Sequence, residues 1–164
     1  MITIDELRVN EIAETQELLK FTWVDTYSSF LSQEIVQKMT EFLLNPELLR
    51  KEAIDLNILF LVAKDENKKI VGLVTVLKMD NDLAQIARLY VHPDYQRRGI
   101  GLRLLNESID RLRRFKTIRV EIEEKNKKGI NFYLKQGFRE VETKRELIEN
   151  AILNISILER KLTG

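Results

Sequence analysis

Two glycines set two apart, Gly99 and Gly101, precede an amphipathic run and follow Gln96, Arg97 and Arg98 in the stretch YVHPDYQRRGIGLRLL. Glycines at the start of a helix leave backbone N–H groups free, and the helix dipole adds positive charge there. The pattern therefore suits an anion, above all a phosphate. With no side chain at either position, the backbone can approach that anion closely. A nucleoside-triphosphate loop would end in Gly-Lys-Ser/Thr, but Leu102-Arg103 follow Gly101. A dinucleotide fingerprint would need a third glycine at 104, where Leu104 stands, and a loop tight against its strand, whereas His92 to Arg98 intervene. What remains is Q-x-x-G-x-G, directly after a strand ending Leu89-Tyr90-Val91-His92-Pro93.

A second block, NKKGINFYLKQGF, runs from Asn126 to Phe138. Asn126 is a natural helix cap, and Tyr133 beside Phe132 reads as core packing on an amphipathic helix. A phenol with a pKa near 10 also holds its proton at neutral pH, as a general acid must. His92 is the only histidine and has no partner for a triad or a metal site; with no cysteine in the chain, no metal site is expected.

Together the two blocks resemble the GNAT (Gcn5-related) N-acetyltransferases: Gln96-Arg97-Arg98-Gly99-Ile100-Gly101 follows the family's acetyl-CoA motif. Asn126 to Phe138 follows N-x-x-A-x-x-x-Y-x-K-x-G-F, with Gly129 where alanine is usual. The resemblance is strong over about Leu83 to Phe138 and rests on element order elsewhere. It implies that acetyl-CoA is the cofactor, with its pyrophosphate on the amides of Arg97, Arg98, Gly99, Ile100, Gly101 and Leu102 beside Gln96. It also implies that Leu89, Tyr90 and Val91 pair with the pantetheine arm, that Asn126 and Lys135 contact the coenzyme, and that Tyr133 protonates the departing thiolate. A backbone N–H near Val91 would stabilise the oxyanion. Arg111, Arg113, Arg114 and Lys116 extend the basic run beyond any contact and read as a solvated face.

In this family a glutamate on the strand before the cradle usually orders the water that deprotonates the acceptor. Counting back six from Val91 gives Gln85, which cannot act as a base. Glu121 and Glu123 share one strand face and are alternatives, although a solvent-facing row explains them better; Asp80 and Asp82 are others. Trp23, Thr26 and Tyr27 have core spacing in a helix, yet the family builds its acceptor site from this region, and W-x-x-T-Y resembles the polyamine acetyltransferases of the PaiA type. The expected function is acetyl transfer by direct attack of a primary amine of a small molecule, a polyamine or amino compound. The alternatives are a protein N-terminus or lysine as acceptor and, from another class, a non-catalytic acyl-CoA sensor.

With 164 residues the chain can bury one sizeable core and is expected to be a single domain over 1–164. The 27 basic and 26 acidic residues nearly cancel, so no global field favours nucleic acid or an anionic membrane. Neither a leader pattern nor an apolar run of spanning length stands out, and a cytoplasmic protein is expected; the resemblance also makes a homodimer an expectation, since many relatives dimerise.

The elements that must position these residues follow from pattern. Ile2 to Leu7 reads as a strand and Glu11 to Tyr27 as a helix capped by Asn10; helices follow behind Ser32 and at Asn45-Pro46. Asn57 to Asp65 and Lys69 to Lys78 form a hairpin, and Leu83 to Val91 a third strand after a turn at Asp80-Asn81-Asp82. Then come a helix over Gly99 to Phe115, a strand over Thr117 to Glu123, a helix over Asn126 to Gln136 closed by Gly137, and strands over Phe138 to Val141 and Ala151 to Glu159. Strand, helix, strand across Leu83 to Glu123 requires a parallel pair. The expected class is α/β (α+β): a mixed, mostly antiparallel sheet of six to seven strands with helices on both faces.

Overall fold

The computed structural model describes residues 1–162. Its elements are β1 (Thr3–Glu6), α1 (Ile12–Tyr27), α2 (Gln33–Leu43), α3 (Pro46–Ile54), β2 (Ile58–Lys64), β3 (Ile70–Lys78), β4 (Leu83–Val91), α4 (Ile100–Arg111), β5 (Thr117–Glu123), α5 (Lys127–Lys135), β6 (Arg139–Ile148) and β7 (Ala151–Lys161). Seven strands form one sheet in the order β1-β2-β3-β4-β5-β7-β6, and β4–β5 is its parallel pair. The mixed, mostly antiparallel sheet of the sequence reading is the fold found.

Local chemistry accounts for the ends of most elements. Ser32 Oγ accepts the Ile35 N–H at 3.2 Å, and Asn45 Oδ1 accepts those of Glu47 and Leu48 at 2.8 and 3.1 Å ahead of Pro46. Both satisfy N–H groups that a helix start leaves open. Asn126 Oδ1 does the same for Gly129 at 3.0 Å. Gly137, at φ 86°, ends α5 in the left-handed conformation. Asn81 and Asp82 also have positive φ in the β3–β4 turn, which the Met79 N–H closes onto the Leu83 carbonyl at 2.8 Å.

Three boundaries differ from the sequence reading. Asn10 caps nothing: a 3₁₀ turn over Val9–Glu11 leads into α1, and the Glu11 carboxylate accepts the Arg8 N–H at 3.0 Å. Helix α4 stops at Arg111, after which Leu112 and Phe115 turn into the core. Strand β6 runs to Ile148 rather than Val141. As an edge strand exposed along nearly its whole length, it carries no apolar alternation to mark it.

Each sheet face carries its own core. Leu18, Leu19, Trp23, Val36 and Leu49 of α1, α2 and α3 pack with Phe60, Val62 and Leu73. On the other face Ile100, Leu104 and Leu105 of α4 and Tyr133 of α5 cover Leu61, Val74, Ile118 and Val120. Each fully buried leucine or isoleucine contributes about 2 kcal/mol, so both helical layers are fastened to the sheet.

Candidate active site

β4 and β5 pair only from Leu83–Thr117 to Ile86–Val120. Beyond that point a bulge inserts Ala87 into β4, so Thr75 faces Arg88 while Val76 faces Ile86. The two parallel strands part there. Residues 88–91 keep β3 on one side, and no described strand pairs with them on the other.

The register fixes which groups face that opening. The His92 N–H donates to the Val71 carbonyl at 2.8 Å, which makes Gly72–Val91 a non-hydrogen-bonded pair. The N–H and carbonyl of Val91 therefore point away from β3 into the gap, and those of Leu89, two residues back, do the same. The Tyr90 backbone turns to β3 instead. One of the exposed groups is occupied: Gln96 Nε2 donates to the Val91 carbonyl at 3.0 Å, and Lys128 Nζ contacts the other end of the same amide.

The loop after β4 ends at the start of α4. Arg97 and Gly99 take positive φ of 63° and 78°, a conformation that costs most residues about 1–2 kcal/mol and glycine very little. A Cβ at Gly99 would meet nothing within 4 Å, and one at Gly101 would find Phe132 and Val91 no nearer than 3.8 Å. The backbone around α4's first N–H groups is thus open on the side of the gap. Ile100 is buried beneath it, while Arg97, Arg98 and Arg103 are exposed. Arg98 lies over the Tyr95 ring at 5.0 Å and donates to the Asp94 carbonyl at 3.1 Å.

Such a cradle fits a diphosphate, and the open edge of β4 fits an extended chain bearing amides, the two parts of coenzyme A that the sequence reading assigns to Leu89–Val91 and Gln96–Leu102. Asn126 and Lys128 flank it from α5. Lys135 does not join them. It is exposed and lies two residues beyond Tyr133, about 200° around the helix, so it faces away from Tyr133's buried side.

Tyr133 is 5% exposed, with its ring edge-on to Phe132 and Phe138. Burial drives its phenol well above the ordinary value, and Tyr27 adds to the shift. Tyr90 is raised by burial and then by Tyr27; Tyr27 is raised by burial and, further down, by Glu123. Tyr27 is thus within electrostatic reach of Tyr90, Tyr133 and Glu123. The gap between β4 and β5 is where side chains from the two helical layers meet.

The acidic candidates separate. Gln85 donates to Glu121 at 3.2 Å, and Lys144 pairs with Glu121 at 2.5 Å. Gln85 lies in the zipped part of β4, and the bulge reverses its side: Leu89 and Val91 share a face with Ile86 and Ala84, not with Gln85. Counting back along the strand could not see that inserted residue. Asp82, half exposed, pairs with Lys116 at 3.4 Å in the turn. Glu123, read from sequence as part of a solvent-facing row, is only 5% exposed. Its β7 partner Ile155 belongs to the same core as Leu19 and Trp23 of α1, a cover that strand alternation alone could not reveal. Among the described residues the Glu123 Oε2 is buried without a hydrogen-bond partner, and its Oε1 receives a 3.4 Å contact from the Lys125 N–H.

Trp23 is 9% exposed, lies tilted against Tyr27 with ring centroids 4.3 Å apart, and keeps a buried Nε1 without a partner among the described residues. The sequence reading missed Arg88, tied to Glu52 of α3 through bonds of 2.6 and 3.3 Å beside Tyr90; an arginine inside a half-buried strand was the available signal. No helix among the described residues is long and apolar enough to cross a membrane.

The sequence model of the acetyltransferase (GNAT) family matches residues 16–138. The chain is 30% identical over 151 residues to a spermidine N(1)-acetyltransferase from Thermoplasma acidophilum, covering 87% of this chain and 91% of the relative. Among solved structures, the PaiA N-acetyltransferase of Thermoplasma acidophilum in complex with coenzyme A superposes with a TM-score of 0.88 at 25% identity, over 98% of this chain and 99% of the other. Spermidine N-acetyltransferase from Vibrio cholerae, in complex with CoA and spermine, shares the fold at a TM-score of 0.75 and 18% identity, over 98% and 95% of the two chains.

Proposed function

This chain belongs to the acetyltransferase (GNAT) family and is an N-acetyltransferase that uses acetyl-CoA, and we propose that its acceptor is the primary amine of a small molecule of the polyamine kind. The observation that carries the reading is the open edge of β4 at Leu89 and Val91, which runs on to the α4 N-terminus and packs in the same core as Tyr133. The acceptor class is supported by the spermidine acetyltransferase relative, which matches over most of both chains, and by the paired rings of Trp23 and Tyr27, the latter within electrostatic reach of the Glu123 carboxylate.

In this reading Leu89 and Val91 hold the pantetheine arm by backbone pairing, as a strand adds to a sheet edge. The α4 amides from Gly99 to Leu102 take the diphosphate, with Arg97 and Arg98 as exposed counter-charges, Gln96 fixing the loop and Asn126 shaping the facing helix start. When bound, acetyl-CoA supplies an acetyl group activated as a thioester. The Val91 N–H is a preorganised donor for the oxygen on which negative charge develops. Burial keeps Tyr133 protonated across the neutral range, so its Oη holds a proton ready for the departing sulfur.

The test is thiol release from acetyl-CoA with spermidine, spermine, amino acids, aminoglycosides and peptides with free N-termini. Polyamines should turn over with the highest kcat/KM. Turnover with peptides alone would overturn the small-molecule reading.

A further inference from the structure

Three partly buried acidic side chains, on β5, β7 and α3, each have a cation. Glu121 has Lys144, Glu159 has Arg119 at 2.5 Å, and Glu52 has Arg88. Glu123 has none among the described residues, yet it is the most buried of the four. A carboxylate taken out of water without a counter-charge is costly, and its Oε2 lacks even a neutral donor. Chains do not ordinarily keep such a group in a core that a glutamine or leucine would fill at lower cost.

The surroundings indicate what is missing. Glu123 is the last residue of β5, three positions before the Asn126 cap, where β5 has already parted from β4. Ile155, opposite Glu123 on β7, packs in one core with Trp23 and Tyr27, whose ring centroids lie 4.3 Å apart, and Tyr27 is within electrostatic reach of both Glu123 and Tyr133. A buried anion beside two aromatic rings is a site for an organic ammonium, whose charge the carboxylate meets and whose C–H and N–H groups the ring faces accept.

Resting on the acetyl-transfer reading above, we propose that Glu123 is the counter-ion of the acceptor's ammonium and takes its proton, the role that Gln85 cannot fill. One N–H bond of the ammonium breaks, its electron pair stays on nitrogen, and an O–H bond forms at Oε2. The neutral amine then carries the nucleophilic pair next to Tyr133, and the carboxyl returns its proton to solvent once the product leaves. Acetylation of an ammonium releases one proton overall, and this is that proton.

Glu123→Gln, with Glu123→Leu as the apolar counterpart, tests the assignment through three readouts. Without ligand, both variants should melt at or above the wild-type temperature, because they remove an unpaired buried charge. At pH 7 kcat/KM for a primary amine should fall about a hundredfold or more, and the deficit should shrink toward pH 10 as the free amine becomes abundant in solution. Coenzyme A affinity by calorimetry should not change. A kcat/KM within threefold of wild type, or a deficit constant from pH 7 to 10, overturns the proposal. Absence of turnover in the wild type with every amine would instead refute the acceptor reading. Spermidine binding by calorimetry then decides the site, weakened in Glu123→Gln if the assignment is right and equal in both proteins if it is wrong.

Discussion

The Gln96 side-chain amide donates to the Val91 carbonyl at 3.0 Å, which ties the loop ahead of α4 to the open edge of β4. The same amide meets Lys128 from α5, so one side chain joins three parts of the cradle. Gln96→Ala should weaken coenzyme A binding about tenfold, the worth of one well-placed hydrogen bond. Titration calorimetry checks this, and an unchanged Kd would show that the loop holds its shape without Gln96.

Gly101 separates the needs of folding from those of binding. A Cβ there would make only ordinary contacts at 3.8 Å, and alanine suits a helix better than glycine by up to about 1 kcal/mol. Gly101→Ala should therefore melt no lower than wild type while its methyl group obstructs the cradle and weakens coenzyme A at least tenfold. Equal affinity would move the diphosphate elsewhere.

At Gly129, where the motif that Asn126 to Phe138 resembles has alanine, a Cβ would lie 2.5 Å from Ile122 Cδ1 and 2.9 Å from Asn126 Nδ2. The larger β5 side chain has taken the space of the missing methyl group. Gly129→Ala should cost about 1–3 kcal/mol, read as a fall in Tm of several degrees. Ile122→Val removes the offending atom, so the double variant should be more stable than the sum of the two single losses implies. Strict additivity would contradict the contact.

Two ends of the pH profile follow from burial and pairing. The Tyr133, Tyr90 and Tyr27 phenols are raised above their ordinary 10.0 by burial. The folded chain thus binds those protons more tightly than the unfolded chain does; their contribution is whole below about pH 10 and is lost as pH rises beyond it. Glu11 behaves oppositely. Burial works to raise its carboxyl, but Lys64 at 2.5 Å and the Arg8 N–H hold it below 4.5. Its contribution is whole above about pH 4.5 and fades as pH falls through the folded value. Urea midpoints from pH 3 to 11 should show both limbs, with Glu11→Gln flattening the acid one and Tyr133→Phe the alkaline one.

How much of this was legible in the sequence depended on whether the cause was local. Ser32, Asn45 and Asn126 announce helix starts because a cap acts on the next two or three residues, and Asp80-Asn81-Asp82 announces a turn because these residues tolerate positive φ. The cradle and Tyr133 were visible as motifs. The bulge at Ala87 was not, since it is a mismatch between two strands, and with it went the side on which Gln85 lies. The length of β6 was hidden because a strand wet on both faces carries no alternation. Glu123 was visible as a carboxylate facing the same way as Glu121, but only the path of α1 packs Trp23 into one core with Ile155, the residue opposite Glu123.

The most direct test of the whole account is the turnover of Tyr133→Phe, measured as thiol release with the best amine acceptor alongside coenzyme A affinity by calorimetry. Loss of a hydroxyl that burial keeps protonated beside the gap should lower kcat by about a hundredfold or more and leave the affinity unchanged. A kcat within twofold of wild type would contradict the assignment of Tyr133 as the proton donor and, with it, the placing of the reaction where β4 and β5 part.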